Sequence, residues 1–285
     1  MSAIVLAAAL ALPLEKDCLI RQGLQVVNVT TPVHNFRMAV YSNRDVVSRT
    51  IAKTGQWEIL DPRDLAELAG SELPALPATF VDIGANMGYY SLLFAHAGFR
   101  VIALEPLEHN RRAIEASMCL NPRIAPRISL LPVALGEPTG TSACVIESSS
   151  EKNRGNGVMR CGPAMACPRG ARTVCEVVAL RRLDDVLADP SLRVTSVDVV
   201  KMDVEGSECT AMAGGQSLFE KWRPKLVQVE LKQRRVRTCA LAQARKHGYT
   251  FGEKRGHDQN AVMVDARAES AERAPAGRAR SRAQR

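Results

Sequence analysis

Fold and ligand site are both organised by the stretch Phe80-Val81-Asp82-Ile83-Gly84-Ala85-Asn86-Met87-Gly88-Tyr89-Tyr90-Ser91. The apolar run at its start predicts a buried strand, and apolar residues at helical spacing after Gly88 predict a helix that ends at Gly98. Glycines at 84 and 88 permit positive φ angles and let a ligand approach the backbone, while the unpaired N–H groups of the helix point to the same place. We therefore expect a small ligand to bind at this loop.

The sequence that follows completes a nucleotide-binding unit. A second apolar run, 101–104, stops at Glu105, and a strand–loop–helix–strand unit that ends in an acid predicts hydrogen bonds from ribose hydroxyls to that acid. The loop has the spacing G-x-x-x-G rather than G-x-G-x-x-G, and Asp82 lies two residues ahead of the first glycine. A carboxylate there would repel a pyrophosphate. It suits a ligand with an ammonium and a sulfonium group, such as S-adenosylmethionine.

Five segments in this order resemble the motifs of FkbM-type S-adenosylmethionine-dependent methyltransferases. They are residues 80–91, Leu104-Glu105-Pro106 with Asn110 after it, Val133-Ala134-Leu135-Gly136, Leu183-Asp184-Asp185, and Val199-Val200-Lys201-Met202-Asp203-Val204-Glu205-Gly206-Ser207-Glu208. The similarity runs from about Asp45 to about Asp265 and includes Gly55-Gln56-Trp57-Glu58. It implies methyl transfer to a hydroxyl, with sugars and polyketide-like small molecules as the typical acceptors; peptide and amine acceptors stay open.

The same resemblance implies the cofactor-binding residues. They are Asp82, Gly84, Asn86, Gly88, Tyr90, Glu105, Pro106, Asn110 and Ala134. The 84–88 backbone is expected to lie against the methionine portion of the cofactor, and the segment around Ala134 against the adenine ring.

Catalysis is expected in the segment 201–208. Strand alternation puts Lys201 and Asp203 on the same side where a buried strand ends, so Asp203 should emerge at the rim of the sheet as the base or the acceptor-orienting group. Lys201 could hold Asp203 ionised or neutralise the nascent alkoxide, and Glu205 or Glu230 could share the proton-handling role. The alternative for Glu205 and for Glu208 is stabilisation of a helix N-terminus through its dipole.

A metal site is not predicted by any ligand motif. The spacings between Cys161, Cys167 and Cys175 lack the close pairs of zinc sites. Four carboxylates would lie at one edge of the sheet, those of Asp82, Glu105, Asp203 and Glu230. This arrangement costs free energy unless a cation or hydroxyl groups interact with the carboxylates. A metal that bridges Asp203, Glu205 and Glu230 stays open.

Strands alternate with helices, which predicts an α/β fold: a doubly wound, Rossmann-like, seven-stranded and mostly parallel sheet of the class I methyltransferase type. Helices are predicted at 45–55, 108–120, 183–187, 206–213 and 234–247, and strands at 128–131, 143–146, 174–180, 197–202, 226–231, 249–252 and 261–264.

The chain divides into four parts. Residues 1–30 contain an apolar run that fits either a signal-peptide core or a packed N-terminal element and is too short to span a bilayer comfortably. Residues 31–78 are expected to form a cap, and 79–265 the methyltransferase domain, interrupted at about 137–172 by an irregular insertion rich in Cys, Gly and Ser. Residues 266–285 read as a disordered basic tail.

Composition bears on partners and compartment. The net charge is +8, but six arginines against three acids in residues 264–285 account for +3 of it, and only 4% of residues are aromatic, which disfavours a nucleic-acid partner.

Eight cysteines, four of them within 144–175, could form disulfides in an oxidising compartment. Cys119 and Cys209 lie in helical patterns and are expected to be small core residues. The sequence favours neither the cytoplasm nor the secretory-pathway lumen.

Two other functions fit parts of the pattern. A nicotinamide-dependent oxidoreductase would use the same fold, and a methyltransferase-like domain without activity would serve as a binding module. The complete set of charged residues at the strand ends argues against the second alternative.

Overall fold

A computed structural model describes most of the chain. The described residues are Cys18, 23–42, 45–137, 142–148, 152–155, 157–163, 165–168, 174–252 and 260–267. The predicted apolar run at 2–12 and the predicted tail beyond Arg267 lie outside them.

A seven-stranded sheet forms the centre. Its strands are β3 (Thr79–Ile83), β4 (Arg100–Leu104), β5 (Ile128–Leu131), β10 (Val199–Met202), β11 (Leu226–Glu230), β12 (Tyr249–Phe251) and β13 (Asn260–Asp265), in the spatial order β12-β13-β11-β10-β3-β4-β5. Only β13 runs antiparallel to its neighbours. The predicted fold class, a doubly wound and mostly parallel sheet, is confirmed.

Helices cover both faces of this sheet. On one face pack α3 (Tyr89–His96) and α4 (Glu108–Leu120), and on the other α5 (Leu183–Leu187), α6 (Glu208–Ala213) and α7 (Arg234–His247). The bounds of α4 and α7 agree with the sequence prediction, and Gly248 caps α7 in the left-handed conformation that glycine adopts without strain.

The N-terminal part packs onto the first face. Strands β1 (Leu24–Thr30) and β2 (Asn35–Tyr41) form an antiparallel hairpin, followed by α1 (Val46–Thr54) and α2 (Arg63–Ala69). The Ser117 hydroxyl of α4 accepts from the Ala39 backbone N–H at 2.9 Å, which ties the hairpin to the domain. The division predicted at residue 30 therefore falls inside a hairpin. Asp45 caps α1 by accepting from the Ser48 N–H at 2.8 Å.

The predicted irregular insertion is in part regular, and that prediction is corrected. Strands β6 (Val133–Leu135), β7 (Ser142–Ser148), β8 (Gly157–Pro163) and β9 (Val174–Arg181) form a second sheet in the order β6-β9-β7-β8. The segment 133–135, expected as a loop, pairs in parallel with β9. Gly157–Pro163 forms a strand because β7 supplies a full antiparallel partner. We call β7, β8 and the described residues 152–155 between them the cover hairpin.

All eight cysteines are paired. The disulfides are Cys18–Cys119, Cys144–Cys161, Cys167–Cys175 and Cys209–Cys239. The expectation that Cys119 and Cys209 are small core residues is wrong, because both are only partly buried and each forms a disulfide with a cysteine that is distant in the sequence. Within the described residues, the longest helix has 14 residues and none is long and apolar enough to cross a membrane.

Replacing Cys209 and Cys239 together by alanine should lower the free energy of unfolding by about 3 to 4 kcal/mol, since the unfolded chain regains the freedom of a 30-residue loop. Urea unfolding of the oxidised proteins measures the loss. In excess dithiothreitol wild type and variant should unfold alike; a difference that survives reduction would assign the effect to packing. Alkylation of the denatured wild type should add no label before reduction and eight labels after it.

Candidate functional site

A cavity of about 370 Å³ lies at the carboxyl ends of β3, β4, β10 and β11. Its floor is formed by the loops that follow these strands. Its walls come from the cap, through Met38, Val47 and Trp57, and from the cover hairpin, through Ile146 and Met159. Ligands of open α/β sheets bind at this edge.

The glycine loop makes the floor of the cavity. Gly84 has φ +80°, and a Cβ there would lie 2.0 Å from the Asp203 carbonyl oxygen, so the strand ends approach closely only because residue 84 is glycine. Gly88 has φ +85° and lies at the N-terminus of α3, where a Cβ would meet Ile114. Asn86 adopts φ +52° between them and lines the cavity.

Glu105 lies where β4 ends and is 4% exposed. Its carboxylate accepts from the backbone N–H groups of Asn86 at 2.8 Å and Leu107 at 2.9 Å. Burial raises its pKa to about 7, although these hydrogen bonds, the Asn110 amide and His109 oppose the rise. The carboxylate thus fixes the glycine loop and still faces the cavity.

Of the predicted cofactor residues, Gly84, Asn86, Tyr90, Glu105, Pro106 and Ala134 line the cavity. Asp82, Gly88 and Asn110 lie behind its wall. Asp82 is fully buried under the loop and accepts from the Ser91 hydroxyl at 2.7 Å. Asn110 Oδ1 accepts from the Tyr41 hydroxyl at 2.6 Å. This hydrogen bond joins the cap to α4 close to Glu105.

Lys201 and Asp203 meet as the strand alternation predicts. Lys201 Nζ lies 3.1 Å from Asp203 Oδ2, and the Asp203 side chain is 26% exposed to the cavity side. Burial lowers the pKa of Lys201, but the carboxylates of Asp203, Asp82 and Glu58 outweigh burial and raise it. The lysine is therefore a fixed positive charge beside Asp203.

Three glutamates surround this pair. Glu205 and Glu230 line the cavity; burial and then the charge of Asp203 raise the pKa of Glu205 to about 7 and that of Glu230 to about 8. Glu208 is 0% exposed, and its Oε1 accepts from the N–H groups of Val204 at 3.0 Å and Gly206 at 3.2 Å. Glu208 thus holds the loop after β10 from the first turn of α6.

Sequence reasoning missed one residue of the cavity wall. Glu58, in the cap, has φ +49° and accepts from the Tyr90 hydroxyl at 2.7 Å. Lys201 Nζ lies 5.1 Å from the centre of the Tyr90 ring, so Glu58 and Lys201 share Tyr90 as a neighbour. The sequence did offer one signal for Glu58. It lies next to Trp57, in a segment that was identified only by its resemblance to the methyltransferase family.

The sheet order and this cavity define the class I methyltransferase type of Rossmann-like fold. The chain matches the family "Methyltransferase FkbM domain" over residues 82–253, which is more than half of its length. It belongs to the FkbM methyltransferase family. The resemblance recognised in the motifs is confirmed, and membership identifies S-adenosylmethionine as the cofactor of this site.

Individual proteins show more distant likeness. The chain is 24% identical over 190 residues to Methyltransferase sdnD of Sordaria araneosa, covering 57% of this chain and 73% of that protein. The N-terminal domain of human METTL16 in complex with SAH is 15% identical, with 70% of this chain and 66% of that chain covered and a TM-score of 0.40. Precorrin-6y C5,15-methyltransferase from Geobacter metallireducens GS-15 is 10% identical, with coverages of 70% and 84% and a TM-score of 0.39.

Binding of S-adenosylmethionine should weaken as pH falls through 7. The ionised Glu105 accepts from ribose hydroxyls better than the neutral acid, and burial raises its pKa to about 7 in the cofactor-free protein. If binding selects the ionised form, the dissociation constant at pH 6 should be about tenfold larger than at pH 8. Calorimetry at a series of pH values measures this.

Glu105→Gln provides the control for that series, because its side chain has nearly the same shape and stays neutral. Its affinity should be weak and should change less with pH than that of wild type; the change that remains is expected from Glu205 and Glu230, which also titrate near pH 7 to 8 in the cavity. His109 and Tyr41 also act on Glu105, and they are present in both proteins. Equal slopes in wild type and variant would assign the pH dependence to another group.

Proposed function

We propose that this methyltransferase transfers the methyl group of S-adenosylmethionine to a hydroxyl oxygen of a neutral small molecule, such as a sugar. One observation carries the proposal: the cofactor loop and the Lys201–Asp203 pair face the same cavity. The close approach of Gly84 to the Asp203 carbonyl sets the distance between them.

The reaction is an in-line displacement. The acceptor oxygen forms a bond to the methyl carbon, the carbon–sulfur bond breaks with its electron pair going to sulfur, and the sulfonium becomes a neutral thioether. The enzyme's main task is to hold acceptor and methyl group in line at near-attack distance. The hydroxyl proton must leave as the bond forms, because an alcohol is a poor nucleophile.

Asp203 is proposed to orient the acceptor hydroxyl and receive its proton. It follows the end of β10, its side chain is 26% exposed, and Lys201 Nζ lies 3.1 Å from its Oδ2. Lys201 also offers positive charge to the oxygen as negative charge develops there. Glu205 and Glu230 line the same region and could pass the proton on to solvent.

The charge of the lining favours a neutral acceptor. Five described acids line the cavity, Glu58, Glu105, Asp203, Glu205 and Glu230, against the single lysine Lys201. Phosphate-bearing acceptors, including nucleic acids, would be repelled by this excess of negative charge. Hydroxyl groups can instead donate hydrogen bonds to the carboxylates.

The two alternatives stand differently. Family membership and the cofactor it identifies argue against a nicotinamide-dependent oxidoreductase. A binding module without activity is disfavoured by the intact pair of Lys201 and Asp203 beside the cofactor loop. Turnover with any hydroxyl acceptor would eliminate it.

Asp203→Asn should lower turnover by about 100-fold or more, the usual scale for loss of a general base, because the amide cannot take the proton. Affinity for S-adenosylmethionine should stay within about twofold. Asp185→Asn is the matched control, since Asp185 is exposed on α5 and distant from the cavity lining. Full turnover in Asp203→Asn would remove this residue from the mechanism and make Glu230 the next to test.

Labelled S-adenosylmethionine should transfer its methyl group to neutral polyhydroxylated acceptors and not to the same acceptors bearing phosphate. A paired screen of sugars and their phosphates, with calorimetry of S-adenosylmethionine and NAD beside it, measures both specificities. Preference for the phosphorylated partner, or binding of NAD alone, would contradict the proposal.

A further inference from the structure

Carboxylates gather beside the cofactor cavity more closely than hydrogen bonding explains. Among the described residues, one carboxylate oxygen from each of Asp203, Glu208 and Glu230 lies within 4.8 Å of the others. The three residues come from three elements, the end of β10, the first turn of α6 and the end of β11. Such a gathering needs a partner of opposite charge.

Glu208 supplies an observation independent of the clustering itself. Its Oε1 holds the backbone of Val204 and Gly206, whereas its Oε2 has no hydrogen-bond partner among the described residues although the side chain is 0% exposed. Buried polar atoms are rarely left without a partner.

Asn260 adds a neutral oxygen. It lies directly opposite Glu230 in the antiparallel pairing of β11 with β13, so the two side chains share one face of the sheet. Asn260 is 2% exposed, and its Oδ1 likewise has no hydrogen-bond partner within the described part of the chain. Carboxylate and amide oxygens together are the ligand set of hard divalent cations.

The lysines do not balance this charge. Lys201 bonds one oxygen of Asp203 and is shared with Asp82 and Glu58. When Asp203, Glu205, Glu208 and Glu230 are all ionised, they carry two more charges than the ammonium groups of Lys201 and Lys232 can neutralise. One divalent cation would neutralise that excess.

We propose that Asp203, Glu208 and Glu230, with the Asn260 amide oxygen, form a binding site for one hard divalent cation of the Mg²⁺, Mn²⁺ or Ca²⁺ type. Oxygens on opposite sides of such an ion lie roughly 4.0 to 5.2 Å apart, twice the metal–oxygen distance. The present separation of the three carboxylates is therefore compatible with direct coordination.

The cation would stand where the acceptor reacts. Asp203 and Glu230 line the cavity while Glu208 lies behind them, so the remaining coordination positions face the cavity. A hydroxyl bound there would lose its proton more readily, because the cation stabilises the alkoxide. This chemical role rests on the proposed methyl transfer to a hydroxyl; the site itself does not.

The test is titration of Mn²⁺ into the full chain after treatment with a chelator, followed by electron paramagnetic resonance of the free ion and by calorimetry. Wild type should bind one ion. Glu208→Gln should bind it at least about tenfold more weakly with S-adenosylmethionine affinity unchanged, because the glutamine keeps the oxygen that holds the loop and loses only the second one. Glu115→Gln, an equal change on an exposed face of α4, should bind like wild type.

Glu230→Gln is the second variant. If Glu208→Gln fails to fold, Mn²⁺ binding by Glu230→Gln tests the cation site. No saturable Mn²⁺ binding in wild type, or equal binding in wild type and both cluster variants, would overturn the proposal. Methyl transfer by the metal-free protein would leave the proposed function intact and refute the role of the cation in the reaction, whereas the Mn²⁺ titration decides the site itself. Mn²⁺ binding without any methyl transfer would support the site and refute the function.

Discussion

The close approach of two strand ends is the constraint on which the site depends. The Asp203 N–H donates to the Ile83 carbonyl at 3.0 Å, and the Asp203 carbonyl occupies the space where a side chain at residue 84 would lie. Parallel pairing of β3 with β10 therefore brings the glycine loop after β3 against Asp203. The positive φ at Gly84 is a requirement of this contact as well as of the turn.

The second constraint is that buried charged groups need partners, and the fold provides such partners for some of these groups and not for others. Asp82 and Lys201 are adjacent in the β3–β10 register, and Tyr90 extends the polar stripe to Glu58 in the cap. These groups form one connected polar cluster, in which Lys201 is shared by Asp82, Glu58 and Asp203. At the carboxyl ends of the strands the acids outnumber the ammonium groups. This excess of negative charge favours a positively charged cofactor.

Local sequence patterns were sufficient to predict a helix or strand when the residues of that element determine its structure. The central strands are apolar runs, and α7 ends at a glycine, so both could be predicted. Strand β8 could not, because Gly157, Gly162 and Pro163 obscure its pattern and its pairing with β7 decides its structure. The partners of Cys119 and Cys209 depend on contacts over 101 and 30 residues. For Glu208 the sequence indicated a helix dipole, whereas the structure shows a buried side chain that holds a loop.

The cover hairpin and the cap are joined above the cavity. The Val46 N–H donates to the Lys152 carbonyl at 2.8 Å, the Arg154 N–H donates to Asp45 at 2.9 Å, and the Arg154 guanidinium lies 4.9 Å from the Tyr41 ring. Residues of both segments line the cavity, among them Val47 and Trp57 from the cap and Ile146 and Met159 from the cover hairpin. A ligand that orders either segment favours the bonded position of the other, and this coupling is reciprocal. Two ligands that bind together in this cavity are therefore expected to change each other's affinity, and each affinity has to be measured with the other ligand present as well as absent.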